Sequence, residues 1–172
     1  MELMEAIKGR RSIRAFKKQP LPENTIETLI DAARCAPSAG NIQPWEFVII
    51  KNPTTKTKLA QAANQKHIEE APVVIVVCAD EKRSAMGYAS RGRNLYCLQD
   101  TAAATQNILL AAYSLGLGTC WVGAFNEDEV KDILKTPEGM KPVAMIPIGY
   151  SNEAPRQRGK RLLNQMVHYD KF

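Results

Sequence analysis

The stretch Gln99–Leu115 constrains the fold more than any other part of this chain. Its sequence, QDTAAATQNILLAAYSL, is rich in Ala and Leu and contains no Gly, Pro, Lys or Arg, which predicts a helix. Apolar residues fall on nearly every side of that helix, a pattern typical of burial all round. The apolar run is too short for a membrane span and carries Gln106 and Asn107. Because so small a domain has little protein to cover such a helix, we expect a second subunit.

Length and residue usage indicate one domain, 1–172, with no leader segment. The chain has 172 residues, 45% of them hydrophobic, and no apolar run follows a basic start, so we expect a cytoplasmic protein with no membrane partner. Four widely spaced cysteines without a C-x-x-C motif favour reduced thiols over a disulfide or metal site. With only His67 and His168, the sequence predicts no metal and no histidine-based catalytic side chain.

The positive charge is concentrated at the two ends of the chain. The net charge is +5, and Arg, Lys and one serine crowd residues 10–18, while more basic residues crowd 156–161. Three guanidinium groups around Ser12 form a plausible phosphate clamp, because Arg offers forked donors to phosphate oxygens. The alternative is a solvated basic face. The same charge also suits nucleic acid, although the middle of the chain has no basic stripe interleaved with aromatic residues.

A loop of small and amide residues lies between two prolines at 36–45. Ser38, Asn41 and Gln43 bring uncharged donors and acceptors that suit the edge of a polar heterocycle, or else an ordinary connection.

Helical and strand patterns alternate along the chain, which predicts a layered sheet covered by helices. The residues 80–98 have the most ambiguous pattern, and we interpret them as a loop with at most one helical turn, suited to act as a lid. No dinucleotide fingerprint, P-loop or zinc-protease motif is present. The predicted helices are 1–8, 23–35, 54–63, 99–115 and 126–135, and the predicted strands are 46–51, 73–79, 119–122 and 143–148.

Six motifs occur in order along the chain: RRSIRAF at 10–16, APSAGNIQPW at 36–45, QDTAAATQN at 99–107, GLGTCWVGAF at 116–125, IPIGY at 146–150 and VHYDKF at 167–172. Taken together, these motifs resemble those of the FMN-dependent nitroreductase family. The resemblance covers nearly the whole chain, and at this length the chain looks like a compact member.

The resemblance implies an α+β fold: an α/β/α sandwich with a central mixed sheet, assembled as an intertwined homodimer with FMN at the subunit interface. It also assigns cofactor-binding roles, with 37–41 contributed by the second subunit. Gln65 is the expected contact to the flavin's pyrimidine edge, with Asn64 as the rival. The implied FMN-binding residues are Arg10, Arg11, Ser12, Arg14, Pro37, Ser38, Ala39, Asn41, Gln65, Trp121, Val122, Gly123, Arg156 and Arg158.

The implied activity is that of an FMN-dependent NAD(P)H oxidoreductase. NADH or NADPH gives a hydride to flavin N5 and leaves, and an electron-poor acceptor such as a nitroaromatic or quinone replaces it, so the kinetics are ping-pong. Two alternatives stay open: another chemistry on the same fold (dehalogenation, enoyl or pteridine reduction, flavin handling), or a basic nucleic-acid-binding module. Within 80–98, Tyr88, Arg91, Arg93 and Tyr96 are candidate substrate contacts.

Overall fold

A four-stranded antiparallel sheet forms the centre of the fold in a computed structural model that describes residues 1–155 and 159–172. The strand order is β1-β2-β4-β3, and every ladder is antiparallel. Within the described residues, the parallel component expected of a mixed sheet is limited to a single bridge between Ser12 and Thr119. The strands are β1 (Trp45–Ile50), β2 (Val73–Asp80), β3 (Gly118–Thr119) and β4 (Met140–Gly149).

Seven α-helices accompany the sheet in the described part of the chain. Short polar side chains define three of their starts: Asn52 accepts from the Thr55 N–H at 3.0 Å, Asp80 from Arg83 at 2.8 Å and Asn126 from Glu129 at 3.2 Å. The helices are α1 (Leu3–Gly9), α2 (Thr25–Arg34), α3 (Pro53–Ala63), α4 (His67–Glu70), α5 (Glu81–Arg91), α6 (Cys97–Ser114) and α7 (Glu127–Leu134).

Strand β2 is buried on both faces, as its run of β-branched residues predicted. Ile75 and Val77 face a core shared with α2 and α6. Val74, Val76 and Cys78 face a second core shared with α3 and α7. This alternation gives the layered sandwich, because successive side chains of a strand point to opposite faces of the sheet.

Helix α6 is the long helix that the sequence predicted, but one chain does not bury it on every side. Ala104, Ile108 and Ala112 are fully buried against α2 and the sheet. Leu98 and Gln106 are exposed, and so is Leu115 just beyond the helix end. One flank of the helix is therefore uncovered by its own chain. In the described residues, no helix has the length and apolar character needed to cross a bilayer.

The prediction of a loop at 80–98 is wrong, because the region is helical almost throughout. Helix α5 leads into a π-helical turn at Gly92–Tyr96, which continues directly into α6. Its polar outer face concealed the helical pattern, because only Ser84 of α5 is buried. Gly92 allows the close packing, since a Cβ there would lie 2.2 Å from the Ser84 carbonyl oxygen. The predicted strand 119–122 is likewise shorter, with Val122 joined to Met145 by an isolated bridge.

Candidate functional site

The basic segment after α1 is fixed to the edge of the sheet. The Ile13 N–H donates to the Thr119 carbonyl at 2.9 Å, beside the Ser12–Thr119 bridge. Gly118 permits this approach, because a Cβ there would lie 2.8 Å from the Ile13 side chain. Ile13 and Phe16 are buried while the residues between and before them stay partly accessible. The backbone therefore anchors the segment through its apolar residues and directs its polar residues outward.

All four predicted N-terminal residues line one cavity of about 350 Å³. Among the described residues, four cationic side chains and one carboxylate line it, so its charge suits an anion. The Arg11 guanidinium is positioned by bonds to the Lys8 carbonyl at 2.5 Å and the Arg10 carbonyl at 2.9 Å. Arg10, Arg11 and Ser12 are partly buried and Arg14 is exposed, so these residues line a cavity that is open to solvent. The lining residues are Arg10, Arg11, Ser12, Arg14, Glu153, Pro155 and Lys160.

Glu153 joins the C-terminal tail to this segment. Its carboxylate accepts from the backbone N–H groups of Arg14 and Ala15, and the Asn152 N–H donates to the Ala15 carbonyl at 2.9 Å. Lys160, further along the tail, also lines the cavity. Lys160 belongs to the basic cluster at 156–161, so its charge was the available sequence signal. Arg156 and Arg158, which the resemblance implied as FMN contacts, lie outside the described residues.

Two buried groups accompany the basic segment. Cys120 follows Thr119, and burial raises the pKa of its thiol against the opposing influence of Arg14 and a hydrogen bond with Ser12. His67 is 8% exposed, and its Nε2 has no hydrogen-bond partner among the described residues. Burial and the positive charge of Arg14 lower the pKa of His67. Sequence reasoning did not predict a role for His67, because its position at the start of a four-residue helix gave no local signal.

Gln65 and the segment after β3 also lie together. The Gln65 Nε2 donates to the Ala124 carbonyl at 3.5 Å, which places that side chain beside residues 121–124. Trp121 is 40% exposed, and a Cβ at Gly123 would meet only the Trp121 ring at 3.8 Å, so the space next to Gly123 is open. Asn64 instead ends α3 in the left-handed conformation with φ of 50°, a backbone role that accounts for this residue.

The 37–43 loop is held by contacts to α5 and α6. The Ala39 N–H donates to Asp100 Oδ1 at 3.1 Å, and Arg83 Nε donates to the Ile42 carbonyl at 2.6 Å. Asp100 is 7% exposed, burial raises its pKa, and its Oδ2 has no partner among the described residues. Inside the loop, Ser38 Oγ accepts from the Gln43 N–H at 3.0 Å.

This loop and the basic cavity lie at opposite ends of the sheet. The loop leads into β1 at Trp45. Trp45 pairs with Ala79 of β2, and Ala79 pairs in turn with Lys141 of β4. The cavity adjoins Thr119, which pairs with Ile148 of β4. Seven residues of strand separate the two positions, a distance of roughly 23 Å along the strand. One chain therefore does not bring 37–41 to Arg10–Arg14.

The helical region that follows β2 packs over the loop. Tyr88 and Tyr96 meet edge to face with ring centroids 5.0 Å apart, and Arg91 lies over Tyr96 and donates to its hydroxyl at 2.8 Å. A Cβ at Gly40 would lie 2.9 Å from the Tyr88 hydroxyl oxygen. Three of the four candidate substrate contacts thus form one cluster beside the loop. Across the described residues, no three His, Cys, Asp or Glu side chains are grouped so as to hold a metal ion.

Comparison with known proteins supplies the class to which this fold and site belong. The nitroreductase family model matches residues 7–66 and 60–150. A protein of Methanothermobacter thermautotrophicus assigned as an NADH dehydrogenase/NAD(P)H nitroreductase is 39% identical over 163 residues, covering 92% of this chain and 82% of that protein. FMN reductase (NADPH) from Bacillus subtilis is 30% identical, covering 97% of this chain and 72% of that protein.

A solved structure of an oxidoreductase has the same fold as this chain. NADPH:FMN oxidoreductase from Vibrio harveyi, determined in complex with NAD⁺, superposes with a TM-score of 0.91 at 28% identity, covering 99% of this chain and 77% of that one. Fold and relatives together define an α+β oxidoreductase. The chain belongs to the nitroreductase family.

Proposed function

We propose that this protein is an FMN-dependent NAD(P)H oxidoreductase that passes electrons to an electron-poor acceptor such as a nitroaromatic or quinone. The observation that carries the proposal is the convergence of Arg10, Arg11, Ser12 and Arg14 on one cavity of about 350 Å³. The cavity has the charge and the forked donors that a phosphate monoester requires. The relatives include an FMN reductase and an oxidoreductase solved with NAD⁺.

The residues of the cavity fit the phosphate end of FMN. The guanidinium groups and the Ser12 hydroxyl supply donors, and Lys160 adds a further positive charge. Gln65 donates to the Ala124 carbonyl, next to the open backbone at Gly123, and these two positions would hold the pyrimidine side of the flavin ring. This gathering of basic residues around one cavity favours a small anion over nucleic acid, whose backbone needs an extended basic surface.

The ring end of the site requires a second copy of the chain. Pro37, Ser38, Ala39 and Asn41 belong to the loop roughly 23 Å away along the sheet, too far to contact a flavin whose phosphate lies at Arg14 of the same chain. A homodimer with two-fold symmetry would place the loop of each chain at the cavity of the other.

Exposed apolar residues at both ends of the chain support the homodimer. Leu3, Met4 and Ile7 of α1 are exposed, and so is a series of large apolar side chains in the C-terminal arm. Soluble monomers rarely expose so many apolar side chains in two continuous stretches. Those of the arm are Leu162, Leu163, Met166, Val167, Tyr169 and Phe172.

When bound, FMN would supply hydride-transfer chemistry between NADH or NADPH and an acceptor that takes the nicotinamide's place. The protein would bind and orient the flavin, and donor groups near its N1 and O2 would stabilise negative charge on the reduced ring. We name no catalytic side chain. Tyr88, Arg91 and Tyr96 pack over the loop and would face the substrate at the partner's cavity.

The test is the visible spectrum of the purified protein before and after anaerobic addition of NADH or NADPH. We expect a flavin spectrum that bleaches, and the faster donor identifies the preferred nicotinamide. A protein that stays colourless after incubation with FMN would contradict the proposal. Stopped-flow oxidation with nitroaromatics, quinones, enones and halogenated phenols would then separate the proposed acceptors from the other chemistries of the same fold. Light scattering that finds only monomer would contradict the two-chain site.

A further inference from the structure

The imidazole of His67 has no assigned role, yet it lies beside the basic segment. Its helix α4 leads into Ala71, which packs in one apolar cluster with Ile13 and Phe16, on either side of Arg14. Pro72 continues this contact, since a Cβ at Gly149 would touch both Pro72 and Phe16. The backbone around His67 is therefore anchored against the segment that carries the phosphate-binding arginines.

A buried, unpartnered imidazole nitrogen is unusual. His67 is 8% exposed, and the structure gives its Nε2 no partner among the described residues. Leaving a buried polar atom unpaired costs about 1–3 kcal/mol, so such an atom calls for an explanation such as a ligand. Its charged surroundings are Arg14 of the basic segment, Glu70 of its own helix and Glu153 of the tail.

We propose that His67 is proton-linked to the anion site from behind its lining, taking up a proton when the phosphate of FMN binds at Arg10–Arg14. This inference rests on the proposed function. In the free protein, burial and Arg14 disfavour the imidazolium, while Glu70 and Glu153 favour it more weakly. A bound phosphate offsets the charge of Arg14 and so removes part of what disfavours the imidazolium. Binding therefore raises the pKa of His67 above its value in the free protein.

The sign of the pH dependence follows from this linkage. Because the bound form holds the proton more strongly, FMN affinity rises as the pH falls through the pKa of the complex, and the gain is complete below the pKa of the free protein. His67→Gln cannot titrate but keeps an amide of comparable length. We expect the Kd of FMN to fall roughly three- to tenfold more between pH 8 and pH 6 in the natural protein than in this variant.

The experiment measures the Kd of FMN by quenching of flavin fluorescence with the full chain, freed of flavin, from pH 5.5 to 8.5. The FMN phosphate titrates in the same range, but it does so equally for both proteins, so the difference between their curves isolates His67. Riboflavin, which lacks the phosphate, is the matched ligand and should show no His67-dependent slope. Calorimetry in two buffers of different ionisation enthalpy counts the protons taken up. His67→Phe, which fills the same volume, is measured alongside with its Tm.

The outcomes are distinct. A steep curve for the natural protein beside shallow curves for both variants supports the proposal. Parallel FMN curves for natural protein and variants, or an equal His67-dependent slope with riboflavin, would overturn this inference while leaving the proposed function intact. Failure of the natural protein to bind FMN at any pH would overturn the proposed function and this inference with it.

Discussion

The basic cavity and the 37–43 loop are the two halves of the candidate site, and they are built by different means. The cavity takes most of its charge from five consecutive residues that follow α1 and lie along β3. The loop takes its shape from distant partners, namely Asp100 of α6 and Arg83 of α5. Under the proposed function, the first half would bind the phosphate with residues of its own chain, whereas the second would act on the cavity of another copy.

The largest effect should come from recombining the two halves. Arg14→Ala damages the cavity, and Ala39→Trp fills the loop with a large side chain, so each variant alone should lose activity at limiting FMN. In a mixed dimer, one of the two sites joins an intact cavity to an intact loop. Random pairing of the two chains should therefore restore about a quarter of the activity, because half the dimers are mixed and each has one sound site.

Coexpression of the two variants with different affinity tags, followed by isolation of the mixed dimer, makes this measurement direct. Coexpressing Arg14→Ala with a tagged copy of itself is the control. If the mixed dimer stays as inactive as its parents, both halves act within one chain and the two-chain site is wrong.

The next effect concerns the cavity alone. Arg14→Ala should raise the Kd of FMN by about tenfold to a hundredfold, since a hydrogen bond to a charged group contributes about 1.5–3 kcal/mol. Its Tm should hardly change, because the side chain is exposed. The matched control is Arg34→Ala, which removes an exposed guanidinium paired with Asp31 on α2. An unchanged Kd in the Arg14 variant would remove Arg14 from the phosphate clamp.

Substitution of Asp100, which holds the loop, should lower the free energy of unfolding of the protein. Asp100→Leu leaves the Ala39 N–H without its acceptor and should cost about 1–3 kcal/mol of unfolding free energy. Asp100→Asn keeps an oxygen acceptor and should cost less. Urea denaturation of the three proteins measures the difference. Equal losses for Leu and Asn would mean that the hydrogen bond to Ala39 contributes nothing.

Asp100 should also make the stability of the protein depend on pH in a predictable direction. Burial raises the pKa of Asp100 in the folded state, so the stability contributed by its neutral form is complete below the unfolded pKa and is lost as the pH rises through the folded pKa. Asn stays neutral throughout. The Asn variant should therefore gain stability relative to the natural protein between pH 4 and pH 7, and a constant difference over that range would refute the assignment.

The smallest expected effect is a difference in thiol reactivity between the cysteine near the loop and the cysteine near the cavity. Cys35, just before the loop, is exposed, whereas Cys120 beside the cavity is buried with a raised pKa. Burial and Glu46 raise the pKa of the Cys78 thiol to about 12. A thiol reagent should rapidly label one cysteine, Cys35, in the native protein, and it should rapidly label none in the Cys35→Ser variant. The Cys35→Ser variant should bind FMN with the same affinity as the natural protein. Rapid labelling of a second thiol would show that a buried cysteine is reachable.

Sequence patterns predicted the parts of the fold whose signals are local. The β-branched run of β2 and the Ala- and Leu-rich α6 identified the buried strand and the long helix, because burial on both faces requires continuous apolar residues. The Asn126 cap likewise marked the start of α7. Helix α5 was missed because only Ser84 is buried within it, and its break at Tyr88 and Ala89 disturbs the helical period.

For the site, the sequence by itself determined the chemistry of the cavity. The arginines around Ser12 are adjacent in the chain, so their positive charges stay close together in any backbone conformation. The resemblance added the loop residues and Gln65. Only the tertiary structure decided that Lys160 reaches the cavity, that Asp100 fixes the loop, and that the buried His67 feels the charge of Arg14 and has no partner for its Nε2 among the described residues. Each of these facts depends on contacts between residues far apart in the chain, and no local pattern of side chains encodes such a distance.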